Sequence, residues 1–356
     1  MKTNFSKMDL RDLTSEEISA WLEGEGVVKP YRATQILGWL YDKNVSNIDG
    51  MTNISLQLRT RLAADFSLNQ LTLSDQQNSK DETIKFLFSL KDGQTVESVL
   101  IPDEPRMTLC ISTQVGCKLG CKFCRTAKAG FVRNLVPHEI VGQVIEGEKR
   151  SDKKITNLVL MGMGEPLDNY ENVVKSLNIL HLPGGMRYAT RKVTLSTAGH
   201  ASAIRRLASE GIKTNLAVSL NATTDSVRSK IMPINRKYPI SDLLDACRNY
   251  PLPKGRRITF EYVMLDGIND TMEDAKRLSS LIRGISCKIN LIPFNPFSGS
   301  SFSPSPMKRV EQFQEILVQK HHSTFIRKSK GRDILAACGQ LQQRFLENAD
   351  PMPVCS

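Results

Sequence analysis

The sequence lacks the segments that carry a protein into or across a membrane. Met1 and Lys2 are not followed by the apolar stretch of a secretory signal peptide, and no apolar run among the 356 residues approaches the length that spans a bilayer. Internal repeats are absent too, and the one segment of biased composition is a polar loop at 298–306. We therefore expect a cytoplasmic globular protein with no membrane partner.

Acidic residues are too few to balance the basic ones. The sequence has 48 Lys and Arg against 37 Asp and Glu, which gives a net charge of +11. Part of the basic excess surrounds one cysteine-rich loop, at Lys118, Lys122, Arg125, Lys128 and Arg133. Single basic residues usually mark a solvated face, but this clustering favours a polyanionic partner, with nucleic acid as the better prediction.

The cysteine-rich loop lacks a fourth cysteine. Cys117, Cys121 and Cys124 follow one another at a C-x3-C-x2-C spacing. Four thiolates would close a structural zinc or iron–sulfur site, whereas three leave one coordination position open. In a [4Fe–4S] cluster, that open position is an iron that can bind a small molecule. The spacing favours such a cluster, with a zinc site or three unligated thiols as the alternatives.

The order of predicted elements divides the chain into four parts. Near the start, three helices are predicted, because Thr14 opens a capping box and Pro30 can begin the second helix. Two strand-like runs then flank a turn signal, and beyond them strands alternate with helices. Residues 1–75 form an N-terminal helical accessory domain that is expected to bind RNA. Residues 76–106 form a β-hairpin linker, residues 107–300 form the core, and residues 301–356 form a C-terminal segment.

The core pattern predicts an α/β fold with a parallel sheet. Six strands are expected, at 108–112, 157–161, 192–196, 215–220, 258–264 and 288–292. Helical stretches between them lie at 137–149, 170–180, 199–210, 240–249 and 271–284. Strands separated by helices pair in parallel through right-handed crossovers. Six strands are too few for a full eight-stranded barrel, so we predict a partial six-stranded β/α barrel rather than a flat doubly wound sheet.

Polar and glycine-rich segments follow four of the predicted strands. They are residues 162–166, 196–199, 219–221 and 293–296. Each alone is typical of ordinary turn chemistry. Since the carboxyl ends of parallel strands meet at one edge of a barrel, and the cysteine loop follows the first strand, the four segments together predict a shared ligand pocket.

Four motifs resemble those of the radical S-adenosylmethionine (SAM) adenine C2-methyltransferases. They are TLCISTQVGC at 108–117, MGMGEP at 161–166, IPFNPF at 292–297 and DILAACGQL at 333–341, in the order found in that family. The resemblance implies methylation of carbon 2 of adenine 2503 in 23S rRNA and of adenine 37 in tRNA. It also implies a radical SAM partial barrel, one [4Fe–4S] cluster, two SAM molecules per turnover, an electron donor such as a flavodoxin or ferredoxin, and a monomer.

The resemblance also implies which residues bind the cofactors. Cys117, Cys121 and Cys124 would hold the cluster. The pocket for SAM would be formed by Gly164, Glu165, Ser196, Ser219, Leu220, Asn221 and Asn295. Asn221 stands where many members of the family carry His, so this contact with SAM is expected to be altered.

Three further residues would carry the chemistry. Carbon 2 of adenine is electron-poor and cannot attack a methyl sulfonium, whereas a carbon radical can add to it. The resemblance implies that one SAM methylates Cys338, that a second supplies the radical which activates this methyl group, and that Cys110 releases the product through a transient disulfide with Cys338. Glu97 would accept the carbon 2 proton; alternatively, it is a solvated carboxylate at a strand edge.

Two other functions are open. The first is that of the sister enzymes, which methylate carbon 8 of the same ribosomal adenine and confer antibiotic resistance. Pro166 and the segment 292–295 favour carbon 2, because the sister enzymes tend to differ at both places. The second is that of an RNA-binding protein with a structural zinc site and no catalytic activity.

Overall fold

The N-terminal part of the chain is a small helical domain. The structure, a computed structural model, describes residues 7–342 except Val28 and Pro30, so the predicted start of the second helix at Pro30 lies outside the described residues. The elements are β1 (Met8–Asp9), α1 (Ser15–Gly24), α2 (Tyr31–Leu37), α3 (Leu56–Asp65) and β2 (Phe66–Ser67). The capping box at Thr14 is confirmed, since its side chain accepts from the Glu17 amide and the Glu17 carboxylate accepts from the Thr14 amide.

A ten-stranded sheet forms the centre of the molecule, in the order β14-β13-β12-β11-β10-β9-β6-β5-β4-β3. Two short strands, β7 and β8, pair antiparallel outside it. The strands are β3 (Thr72–Asn78), β4 (Ile84–Ser89), β5 (Thr95–Asp103), β6 (Arg106–Cys110), β7 (Gln114–Gly116), β8 (Phe131–Asn134), β9 (Asn157–Leu160), β10 (Val193–Thr197), β11 (Asn215–Ser219), β12 (Ile258–Met264), β13 (Cys287–Pro293) and β14 (Thr324–Ile326).

Helices connect the parallel strands and cover the sheet. They are α4 (Arg125–Lys128), α5 (Pro137–Arg150), α6 (Tyr170–His181), α7 (Ala201–Ser209), α8 (Asp225–Ile231), α9 (Ile240–Arg248), α10 (Met272–Leu281) and α11 (Met307–Gln319). All five predicted core helices are confirmed. Within the described part of the chain, no helix combines the length and the apolar character that crossing a membrane requires.

The sheet is larger than the sequence predicted. All six predicted parallel strands are present, and β14 adds a seventh beside β13. The hairpin β4–β5 extends the same sheet, because β5 pairs antiparallel with β6, and β3 adds an edge strand. No sequence pattern predicts β3, since its mostly polar, exposed side chains show no alternation of apolar residues.

The N-terminal domain packs against the core through α5. Ile36 of the domain shares one apolar cluster with Val141 and Ile145 of that helix. At the same contact, the His138 amide donates to the Asp12 carboxylate at 2.8 Å. The carboxyl ends of the parallel strands lie at one edge of the sheet, where the cysteine loop and the glycine-rich turns gather.

Candidate active site

The carboxyl ends of the parallel strands open on one cavity with about 1000 Å³ of empty volume. This volume includes the open mouth of the cavity. Ten of the predicted site residues line it: Cys117, Cys121, Cys124, Gly164, Glu165, Ser196, Ser219, Asn221, Asn295 and Cys338. Three predicted residues do not line the cavity. Leu220 lies in the core, and Cys110 and Glu97 lie behind the cavity wall.

Gly116 sets the path of the cysteine loop. Its φ of 76° is in the left-handed region, and an added Cβ would overlap the carbonyl oxygen of Gly130. This close approach lets the Cys117 amide donate to the same oxygen at 2.7 Å. At the other end of the loop, Cys124 immediately precedes α4. The loop is therefore fixed at both ends before any metal binds.

The three cysteines suit an iron–sulfur cluster. Burial raises the pKa of Cys117 to about 12, and that of Cys121 well above the usual value, with neighbouring thiolates adding to both shifts. Cations must therefore stabilise the thiolates. Over residues 7–342 as described, no three His, Cys, Asp or Glu side chains are close enough to share a single metal ion. The cysteines of a [4Fe–4S] cluster each bind a different iron, so three thiolates in one loop suit a cluster that keeps one iron without a protein ligand.

Gly164 and Glu165 form a second wall of the cavity. Gly164 has a φ of 100°, and an added Cβ would lie 2.5 Å from the Cβ of Gln114. The Glu165 carboxylate is buried and accepts from the amides of Leu167 and Ala198, at 3.1 and 2.7 Å. Burial raises the pKa of this carboxyl to about 7, although the backbone hydrogen bonds oppose the shift. A cationic amine beside it would favour the ionised form.

Asn221 joins two strands at the same edge. Its φ of 57° is left-handed, a region that asparagine adopts more readily than most residues. Its side-chain oxygen accepts from the Val263 amide at 2.8 Å, so the amide group links the end of β11 to β12. Because the Val263 amide already bonds to the side-chain oxygen of Asn221, this oxygen is less available for the predicted contact with SAM.

Two residues near the cavity were missed by sequence reasoning. Arg228 of α8 is fully buried and donates to the carbonyls of Leu220, Ala198 and Ser219 at 2.9, 2.6 and 3.0 Å. It thereby fixes the turns after β10 and β11. Glu261 lines the cavity, and burial raises its pKa. A lone arginine on a short helix and an acidic residue within an apolar strand carry no motif that would have identified them.

Cys338 lies exposed at the cavity on a segment held by its backbone. The Gly339 carbonyl accepts from the Arg125 amide at 2.7 Å, beside the cysteine loop. The Cys338 carbonyl accepts from the Asn295 side chain at 3.3 Å. Although the thiol reaches the cavity, the surrounding protein desolvates it and raises its pKa, and the charge of Glu261 adds to the shift. The segment therefore places the thiol in the same space as the cluster cysteines.

Cys110 lies at the end of β6, close to Cys338. Burial, and in smaller part the charge of an ionised Cys338, raises the pKa of the Cys110 thiol. Both cysteines are free thiols in this structure. The two residues are far apart in the sequence, and the fold brings them within electrostatic range of one another.

Glu97 is not a solvated edge carboxylate, and that alternative is wrong. The side chain is 3% exposed and forms an ion pair with Lys85, with 3.3 Å between Nζ and Oε1. β5 is also not an edge strand, because β4 and β6 flank it. The carboxylate therefore lies inside the protein, behind the cavity rather than in its lining.

Two family models match the chain. The one described as the radical SAM superfamily matches residues 111–278, and the one described as the ribosomal RNA large subunit methyltransferase N-terminal domain matches residues 8–68. The first match implies a [4Fe–4S] cluster and SAM as cofactors, in agreement with the three-cysteine loop. The second match falls on the N-terminal helical domain.

Curated relatives and a solved structure are similar over nearly the whole chain. A dual-specificity RNA methyltransferase RlmN from Desulfosudis oleivorans is 48% identical and covers 96% of this chain and 92% of its own. One from Syntrophus aciditrophicus is 46% identical, and the match covers 97% of this chain and 99% of the relative. The solved structure of a radical SAM methyltransferase from Sphaerobacter thermophilus is 43% identical and matches with a TM-score of 0.87. The match covers 94% of this chain and 99% of that structure's chain. With this identity along its whole length, and with the cysteine loop and the N-terminal domain in place, the chain belongs to the RlmN family of radical SAM dual-specificity RNA methyltransferases.

Proposed function

We propose that this enzyme methylates carbon 2 of adenine 2503 in 23S rRNA and of adenine 37 in tRNA, with Cys338 as the methyl carrier. The observation that carries the proposal is the shared cavity, which Cys117, Cys121, Cys124 and Cys338 line together. The three thiols of the cysteine loop can hold a cluster, and the thiol of Cys338, which lies on a separate segment, is then available to carry a methyl group. The names of the curated relatives support two classes of RNA substrate.

One set of site residues binds SAM, and a separate residue carries the methyl group. The cluster, when bound, supplies the electron that cleaves SAM. Gly164 and Glu165 hold the amino group of SAM, with Ser196, Ser219, Asn221 and Asn295 completing the pocket. Leu220, predicted for the same pocket, lies in the core behind it. The Cys338 sulfur takes a methyl group from SAM by displacement and loses its proton. Its exposure at the cavity then presents the methyl group to the base.

Cys110 completes the reaction. Its sulfur loses its proton and bonds to the sulfur of Cys338, while the bond between that sulfur and the transferred carbon breaks. The electrons of the broken bond go to that carbon, which takes up a proton to become the methyl group. The resulting disulfide must be reduced by an external thiol before the next turnover. Proton removal from carbon 2 by Glu97 stays a prediction, because the carboxylate lies behind the cavity wall.

The regiochemistry is proposed from the motifs around the cavity. Pro166 and Phe294 belong to the segments that favour carbon 2, and both line the cavity. The sister activity at carbon 8 would use the same pair of cysteines, so the geometry of Cys110 and Cys338 does not separate the two. The names of the curated relatives support the first choice.

Partners follow from the reaction. We propose that a flavodoxin or ferredoxin supplies the electrons, that the enzyme acts as a monomer, and that it works in the cytoplasm, where its RNA substrates are found. The domain at 1–75 is proposed to bind RNA, which the family description of residues 8–68 supports. Basic residues beside the cysteine loop would attract the phosphate backbone, so affinity for RNA should fall as salt is raised.

The binding of SAM should depend on pH through Glu165. The carboxyl has a pKa of about 7 without ligand, and only its ionised form attracts the SAM ammonium group. Below pH 7, affinity should fall about tenfold for each pH unit, and above pH 7 it should be flat. Calorimetric titration of the cluster-loaded enzyme with SAM measures this dependence. Glu165→Gln should bind weakly with no such slope, and an equal slope in that variant would contradict the assignment.

Mapping methyladenosine in cells tests the proposed function. Ribosomal RNA and tRNA are isolated from cells with and without this protein, digested, and analysed by mass spectrometry against authentic methyladenosines. We expect 2-methyladenosine to disappear from both RNAs when the protein is absent. Loss of 8-methyladenosine instead would favour the sister activity, and unchanged RNA would favour a binding protein without catalysis.

A further inference from the structure

Lys85 and Glu97 form an ion pair in the interior, between neighbouring strands β4 and β5. Their side chains are 4% and 3% exposed, and 3.3 Å separates Lys85 Nζ from Glu97 Oε1. Burial of two charges is unfavourable unless further hydrogen bonds satisfy the remaining donors and acceptors. The location of those further bonds therefore indicates what the pair is for.

The further bonds go to the two ends of the segment that carries Cys338. Lys85 Nζ donates to the carbonyl of Ile334 at 2.7 Å, and the amide of Gln342 donates to Glu97 Oε2 at 2.9 Å. Ile334 lies four residues before Cys338 and Gln342 four residues after it. One ion pair thus holds both ends of the loop at whose middle the thiol lies.

The turn before β4 holds the start of the same segment. The Gly331 amide donates to the Asp81 carboxylate at 2.9 Å, and Asp333 accepts from the hydroxyl of Ser79 and the amide of Lys80, at 2.5 and 3.1 Å. These contacts are more exposed than the ion pair and lie farther from Cys338 along the chain. They fix where the segment begins, whereas Lys85 and Glu97 fix the loop itself.

We propose that Lys85 and Glu97 are positioning residues, which hold the Cys338 loop so that its thiol meets SAM and the base in one cavity. This inference rests on the proposed role of Cys338 as the methyl carrier. Both carboxylate oxygens of Glu97 are engaged, one by Lys85 and the other by the Gln342 backbone. A carboxylate held in this way supports the loop, and the experiment below separates this role from that of a group that takes a proton from the substrate.

Four variants of the pair and one control separate positioning from other roles. Lys85→Met and Glu97→Gln each break the pair, and the double variant Lys85→Met/Glu97→Gln removes both charges, so that no unpaired charge stays buried. Lys85→Arg keeps the charge and the donors. Glu146→Gln is the matched control, because Glu146 is also buried and pairs with Lys149 and Arg150, away from the Cys338 segment.

The readouts are the thermal midpoint, the iron content, the fraction of Cys338 that is methylated, and the ratio of 5′-deoxyadenosine to methylated adenosine. Each single variant should lower RNA methylation by about 10²-fold, because a displacement of about 1 Å has effects of this size. SAM cleavage should continue, so the ratio should rise. In the double variant, stability should recover while RNA methylation stays low. Lys85→Arg should recover much of the activity, and Glu146→Gln should keep it.

Different outcomes would overturn the inference. If the double variant recovers activity along with stability, the pair is only structural. If Glu97→Gln accumulates RNA covalently attached to Cys338 while Lys85→Met does not, Glu97 is the proton acceptor and not a positioning residue. If both single variants and the double variant keep wild-type activity while Cys338→Ala is inactive, the positioning role is wrong and the proposed function stands. Activity in Cys338→Ala defeats the proposed function itself.

Discussion

Cys338→Ala should abolish methylation of RNA and leave the iron content of the protein unchanged. The thiol is exposed at the cavity, and neighbouring segments hold its loop through the backbone, so removal of one sulfur leaves the site intact. Loss of a covalent carrier should lower turnover by about 10⁴-fold or more. Product is counted by mass spectrometry of digested RNA, and iron is measured in the same preparation.

Cys287→Ala is the matched control for this experiment. Cys287 is a half-buried free cysteine at the start of β13, and it does not line the cavity. The control should keep both cluster and turnover. Methylation that survives in Cys338→Ala would show that the methyl group reaches the base without this thiol, and the carrier role would have to be abandoned.

Gly116→Ala should disable the cluster loop as fully as removal of a cysteine. An alanine Cβ would overlap the carbonyl oxygen of Gly130, the same oxygen that accepts from the Cys117 amide. The strands β7 and β8 would have to separate, and the first cluster cysteine would move with them. We expect iron content after anaerobic reconstitution to fall about tenfold, since the shift breaks a defined ligand geometry. Turnover should fall with it.

Gly130→Ala separates this overlap from backbone strain. Gly130 has a φ of 84°, close to that of Gly116, but no atom lies within 4 Å of an added Cβ. The control therefore carries only the unfavourable left-handed conformation, which costs about 1–2 kcal/mol. It should keep most of its iron. Equal iron loss in both variants would mean that strain, and not the close approach of the two strands, governs the loop.

Local sequence patterns predicted most of the cavity. Cys117, Cys121 and Cys124 lie within one loop, so their spacing is visible in the sequence. Each turn after a strand carries polar residues directly after the strand that it follows. Parallel topology then brings those ends together without further information. Such features are predictable because sequence neighbours remain spatial neighbours.

Long-range contacts explain what the sequence did not reveal. Lys85 resembles an ordinary polar position on a hairpin, and Glu97 was singled out by the family resemblance for a different role. Their partners at Ile334 and Gln342 lie more than 200 residues away. No local pattern encodes that a C-terminal segment will cover this part of the sheet. Arg228 was missed for the same reason, because its role depends on carbonyl groups of two separate turns.

Transfer of a labelled methyl group tests the central claim most directly. Cys338 is first methylated with SAM that carries a deuterated methyl group, the enzyme is freed of that SAM, and it then reacts with RNA and unlabelled SAM. Tandem mass spectrometry locates the methyl group and the label in the product of the first turnover. We predict 2-methyladenosine that carries deuterium from Cys338. Unlabelled 2-methyladenosine, or a labelled methyl group on carbon 8, would contradict the account.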